Sequence, residues 1–163
     1  MPDPFTSTVD QMSANTRFLT NQGHRLLQVG VVLLLIASFE GFGIPYLAAP
    51  AIGLAAHRLS ALQSVLLLAL GLTWPRLELG TAASRVAFWL LIYSTVAILA
   101  AYLMAAFWGA GGSTLPLTAG TARGSILQES LIRIAAYSSA PTGIASFGLV
   151  LFGLRIKSAA SED

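Results

Sequence analysis

Leu26-Leu27-Gln28-Val29-Gly30-Val31-Val32-Leu33-Leu34-Leu35-Ile36-Ala37-Ser38-Phe39-Glu40-Gly41-Phe42-Gly43-Ile44 decides the fold class. These nineteen residues contain one ionisable side chain, Glu40. A bilayer core of roughly 30 Å takes about 20 apolar residues as a helix, so the stretch reads as a membrane span. With its flanks it occupies 26–48, and comparable windows follow at 51–74, 84–107 and 125–154. The expected fold is an all-α integral membrane protein with four transmembrane helices in an antiparallel bundle. Composition agrees: 55% of the 163 residues are hydrophobic and 10% charged, against roughly 25% charged in a soluble domain.

Outward from the first span, Pro45 and Pro50 break the helix and predict a tight uncharged hairpin. Trp74-Pro75-Arg76-Leu77-Glu78 makes a short polar turn, whereas the Gly-rich stretch from Gly109 to Gly124 is longer than a turn requires. That stretch reads either as a lid or as a passive linker. Residues 1–25 are polar and lack the apolar centre of a signal peptide. The expected organisation is thus a cytoplasmic segment 1–25, a membrane domain 26–156 and a cytoplasmic tail 157–163. Arg17, Arg25, Arg76, Arg85, Arg155 and Lys157 fall on one side if the spans alternate, and only Arg123 falls on the other. Basic residues gather on the cytoplasmic side, which predicts two cytoplasmic termini, here at a bacterial inner membrane. Trp74, Trp89, Trp108 and Tyr46 lie near span ends, where amphipathic rings favour the interface.

The nine Lys and Arg residues are scattered, so nucleic acid is not an expected partner. With no cysteine, disulfides, thiolate metal sites and thiol nucleophiles are excluded. The spans hold no Asp for a Ser-His-Asp triad, and His57 has no second histidine at zinc-site spacing.

Charged side chains inside a span are costly and each asks for a reason. Here they are Glu40, His57, Arg58, Glu129 and Arg133. At about 1.5 Å per residue, His57 lies roughly 9 Å below the non-cytoplasmic end, and Tyr102 falls near that level. Glu40, Glu129 and Arg133 join the same polar layer. Glu129 and Arg133 stand at i, i+4 in the favourable order and are expected to pair, or at least to neutralise each other structurally. Glu40 and Arg58 are expected to pair across the first hairpin. His57 is then left without an opposite charge. It is read either as hydrogen-bonded packing or as a ligand, imidazole being the commonest side-chain ligand of metal and haem iron. Gly53, Ser60, Ala61 and Ser64 share its helix face. Such small residues allow close helix approach or leave space for a flat cofactor.

Several strings carry a family resemblance. Gly53-Leu54-Ala55-Ala56-His57, Leu70-Gly71-Leu72-Thr73-Trp74-Pro75-Arg76-Leu77, Trp108-Gly109-Ala110-Gly111, Gln128-Glu129 and Phe152-Gly153-Leu154-Arg155 together resemble the hydroxylaminobenzene mutase family. That family is distantly similar to styrene oxide isomerase, a trimeric four-helix enzyme holding ferric haem b through one histidine. The resemblance implies His57 as the ligand of the haem iron and Tyr102 beside the open face. Tyr102 and Gln63 are expected to shape the opposite, substrate-facing region, with the haem ligand and this substrate-facing pair on different protomers. Arg58 is expected to disfavour protonation of the imidazole. The implied reaction moves the hydroxyl of a small aromatic substrate such as hydroxylaminobenzene from nitrogen to the ring, giving 2-aminophenol. Three positions depart from the pattern: Gln63 replaces an Asn, Ile98 replaces another Asn, and Leu59 stands where mutases often have Glu. Ile98 cannot hydrogen-bond a substrate heteroatom. The alternatives are an aryl epoxide isomerase, and a non-catalytic membrane haem-binding or structural protein. An electron carrier is disfavoured, because such carriers usually take two axial ligands and the only other histidine, His24, lies near the opposite interface. Four helices enclose little volume for haem plus substrate, which points to a homo-oligomer, a trimer by resemblance.

Overall fold

The computed structural model describes residues 4–120 and 123–155. Five helices follow in chain order: α1 (Pro4–Gly43), α2 (Pro50–Thr73), α3 (Thr81–Trp108), the single turn α4 (Pro116–Ala119) and α5 (Ile126–Gly153). Short 3-10 turns at Ile44–Tyr46 and Trp74–Arg76 close the first two connections. Among the described residues there is no strand, and four helical stretches are long and apolar enough to cross a membrane: Ala14–Tyr46, Pro50–Arg76, Thr81–Trp108 and Ile126–Gly153. Helix α1 starts well before the first apolar window because nothing between Pro4 and Gly43 breaks it. Proline suits a first helical turn, where its missing N–H has no partner to lose. Pro141, by contrast, sits inside an α5 that continues through it.

The long helices form two antiparallel pairs, α1 with α2 and α3 with α5, joined where α2 meets α3. Between membrane helices there is little hydrophobic drive, so close packing of small residues takes its place. The α1–α2 seam shows this at Gly23 and Gly71. A Cβ added at Gly23 would lie 2.7 Å from the Gly71 carbonyl oxygen, and one added at Gly71 would lie 2.9 Å from that of Gly23. Any larger residue at either position would push the backbones apart. On α5 the buried positions Ile132, Ala136, Ser139, Gly143, Ser146, Val150 and Gly153 alternate steps of four and three, a coiled-coil seam built largely of small residues. Serines tie this seam to α3. Ser94 Oγ donates to the Ser139 carbonyl at 2.8 Å, and Ser146 Oγ to the Ala87 carbonyl at 2.8 Å.

Trp74, expected at the lipid interface, is instead fully buried. Its Nε1 donates to Gln22 Oε1 at 3.0 Å, and Ser84 Oγ donates to the same oxygen. A buried indole needs an acceptor for its N–H, and Gln22 on α1 provides one. The group locks α1, the second 3-10 turn and α3 together at the end of the molecule far from α4.

Candidate functional site

The site grows from the α1–α2 seam one level up. Ala37 and Gly41, four residues apart on α1, leave room for the imidazole of His57 from α2. A Cβ added at Gly41 would sit 3.7 Å from His57 Cε1. His57 Nδ1 lies 2.9 Å from the Ala37 carbonyl oxygen. A carbonyl only accepts, so Nδ1 carries a proton, and the tautomer that this bond selects has its lone pair on Nε2. This half-buried histidine is thereby fixed in tautomer and in ring direction, as histidine ligands of metals commonly are.

Glu40 lies beside it, but not in the pair expected from the sequence. Its Oε1 accepts from Ser60 Oγ at 3.1 Å, while Arg58 is exposed and holds no carboxylate among the described residues. Helical geometry explains the correction. Successive residues turn by about 100°, so Ser60, three past His57, shares its face toward α1, and Arg58 is turned away. The second oxygen of Glu40, Oε2, is buried without a hydrogen-bond partner among the described residues.

The Glu129–Arg133 pair does not form either. Glu129 Oε1 accepts from the backbone N–H of Gly111 at 2.8 Å and of Gly124 at 3.0 Å, and its Oε2 accepts from Ser113 Oγ. Arg133 points to the exterior without a carboxylate partner among the described residues. Three donors already gathered by the folded loop outcompete a single flexible guanidinium, since charge-assisted bonds to fixed N–H groups cost little ordering. Gly109, at φ 61°, supplies the left-handed residue that ends α3 and turns the chain toward this clamp. Ser125 and Gln128 complete a reciprocal cap at the start of α5, Ser125 N–H donating to Gln128 Oε1 at 2.8 Å and Gln128 N–H to Ser125 Oγ at 3.3 Å. The loop is therefore pinned rather than passive. Glu129→Ala is expected to speed amide hydrogen exchange of residues 110–115 by roughly 10-fold or more, the scale of losing bonds to a charged group. Unchanged exchange would show that the carboxylate does not hold the loop.

Two contacts set the α2–α3 register: Ala49 N–H donates to the Ala106 carbonyl at 3.1 Å, and Thr95 Oγ1 donates to Gln63 Oε1 at 3.4 Å. Tyr102 therefore stands within about one helical turn of His57 in depth. The two residues face different neighbours. His57 turns to α1, while half-buried Tyr102 packs with a cluster that includes Ile52, Ala101, Ala105, Ile132 and Ala136. The Tyr102 hydroxyl has no hydrogen bond among the described residues. Gln63 turns to α3, and Ile98 and Leu59 pack against the two apolar clusters. One chain thus brings His57 together with Ala37, Gly41, Glu40 and Ser60, and links neither Tyr102 nor Gln63 to it by a hydrogen bond. Sequence reasoning missed Ala37, because a backbone acceptor leaves no mark in a sequence. Ser60 was legible from its spacing to His57 but was read only as a small residue.

No group of three or more His, Asp or Glu side chains that could hold a bare metal ion occurs among the described residues. A lone, oriented imidazole is a donor set for an iron whose other ligands come with the cofactor.

A family model described as Styrene oxide isomerase matches residues 22–155. Among curated proteins, hydroxylaminobenzene mutase HabB of Ectopseudomonas oleovorans is 44% identical over 131 residues, 80% of each chain. Hydroxylaminobenzene mutase HabA of the same organism is 36% identical over 129 residues, 79% of this chain and 96% of its own. No solved structure matches the chain.

Proposed function

The chain belongs to the styrene oxide isomerase family of isomerases, and from that premise we propose that it moves the hydroxyl of an arylhydroxylamine from nitrogen to the ring. Hydroxylaminobenzene would give 2-aminophenol. The observation that carries this reading is the 44% identity to hydroxylaminobenzene mutase HabB over 131 residues, 80% of this chain. The reaction is a true isomerisation. The N–O bond breaks, a C–O bond forms at the ortho carbon, that carbon loses its proton and nitrogen gains one, with no external oxidant or reductant.

For a cofactor we propose haem b, held through His57 Nε2. When bound, ferric haem supplies a Lewis acid that weakens the bond between the substrate oxygen and nitrogen. The chain's own groups do the rest. The bond from Nδ1–H to the Ala37 carbonyl selects the tautomer with its lone pair on Nε2 and aims the ring. Tyr102, whose hydroxyl is uncommitted, donates to the substrate oxygen, and Gln63 lines the same region. Since His57 and Tyr102 turn to different neighbours within one chain, the complete site is taken to form between copies, in a homotrimer. The substrate is small and apolar and arrives through lipid. We place the protein in a bacterial inner membrane with both termini cytoplasmic, on the distribution of its arginines.

The matching family model favours a second reading, isomerisation of an aryl epoxide such as styrene oxide. The purified protein, incubated anaerobically with hydroxylaminobenzene and in parallel with styrene oxide, separates the two. Formation of 2-aminophenol is the expected result. Isomerisation of the epoxide alone would replace the first reading by the second, and conversion of neither would overturn both.

A further inference from the structure

Arg58 interrupts an outer stripe of α2 that is otherwise apolar: Leu54, Leu62 and Val65, four before it and four and seven after it, are all exposed. It lies eight residues past Pro50, roughly 12 Å along the helix from its start. A guanidinium inside a span is costly unless an anion meets it. Neither acid of this layer does so. Glu40 turns to Ser60, and Glu129 is held by Gly111, Gly124 and Ser113. Arg58 directly follows His57, whose half-buried ring spends Nδ1 on the Ala37 carbonyl and leaves Nε2 without a partner among the described residues. Helical side chains lean toward the helix N-terminus, so Arg58 reaches back past the level of the imidazole toward the start of α2. A ligand held at both residues combines an atom that takes the imidazole lone pair with an anionic group nearer the end of the helix.

We propose that Arg58 holds a carboxylate of the ligand that His57 binds, which for haem b is a propionate. The proposal rests on the reading of haem b as the cofactor. Haem is a flat apolar disc with both carboxylates on one edge. The leucines and valine along the α2 stripe suit the disc, and the guanidinium suits that edge, where a carboxylate bond is charge-assisted. A lipid phosphate offers the same chemistry, and the test below separates the two. Arg133 supplies the matched control. Gln63 meets Thr95 and Ser94 meets Ser139, which sets Arg133 within about one helical turn of His57 in depth. It is exposed and without a carboxylate among the described residues, as Arg58 is, but it sits on α5, which packs on α3 rather than on α2. Loss of either guanidinium removes one positive charge from the same layer, and only Arg58 stands beside the imidazole.

The test titrates the full-length purified protein, expressed under haem limitation, with haemin and with haemin dimethyl ester, whose propionates carry no charge; the Soret band reports binding of each. Arg58→Leu is expected to weaken haemin by about 10-fold or more and to leave the ester unchanged. Arg58→Lys should recover part of the loss, and Arg133→Leu should bind both probes like the wild type. Equal weakening of both probes in Arg58→Leu would show a structural role, and the same selective loss in Arg133→Leu would show that the position beside His57 is not special; either result overturns the proposal. Anionic phospholipid that co-purifies with the wild type and is lost in Arg58→Leu, with haemin affinity unchanged, would assign the guanidinium to a lipid phosphate and overturn it too. Haemin binding that does not depend on Arg58 sinks this proposal alone, whereas binding of neither probe to the wild type sinks the haem reading with it.

Discussion

His57→Ala is expected to remove the Soret band of the proposed haem and isomerase turnover together, while the protein still inserts and elutes like the wild type. The size of the competing effects makes this decisive. If His57 were only a packing residue, its replacement would cost one hydrogen bond to the Ala37 carbonyl, a net of about 0.5–1.5 kcal/mol. That carbonyl lies within α1, where its second lone pair keeps the backbone bond of the helix. Folding should survive the change. As the sole imidazole at this depth, however, its Nε2 has no substitute: His24 lies more than thirty residues away, toward the start of α1. Added imidazole should restore part of the Soret band in the variant, because the Cα position and the space left between Ala37 and Gly41 remain. A variant that keeps full haem and full activity would return His57 to packing and take the site assignment with it.

What the sequence disclosed, and what it withheld, follows from the kind of interaction involved. The spans were legible because twenty apolar residues have few other destinations, and the proline-marked hairpin at Pro45–Pro50 because proline leaves a helix no choice. The reach of α1 back to Pro4 was not, since a polar segment without breakers gives no periodic signal. Trp74 misled because a span-end indole looks alike whether it faces lipid or, as here, Gln22 and Ser84. The expected ion pairs failed for a related reason. Charge complementarity was weighed, but the competing donors were not: the N–H groups of Gly111 and Gly124 for Glu129 are backbone, and Ser60 for Glu40 is neutral. His57 stood out because it had no charged partner, yet its orientation depends on a carbonyl twenty residues away in sequence that any amino acid at position 37 would supply.

Tyr102→Phe separates binding of the cofactor from its use. The substitution deletes one hydroxyl that has no hydrogen bond among the described residues, and the retained ring keeps its packing among Ile52, the α3 alanines and Ile132. Fold and haem content should therefore match the wild type, in contrast to Tyr102→Ala, which would open a cavity in that cluster. Turnover is a different matter. In the proposed site the hydroxyl donates to the substrate oxygen as charge develops on it during N–O cleavage, and removing one such donor costs on the order of 10²-fold in rate. The loss should appear in kcat and kcat/KM alike, with KM little changed, because the interaction is strongest in the transition state. A full wild-type kcat in Tyr102→Phe, measured on protein with an unaltered Soret band, would show that the substrate oxygen finds its donor elsewhere. Gln63, which already accepts from Thr95 and keeps its amide N–H groups to give, would then be the next residue to replace.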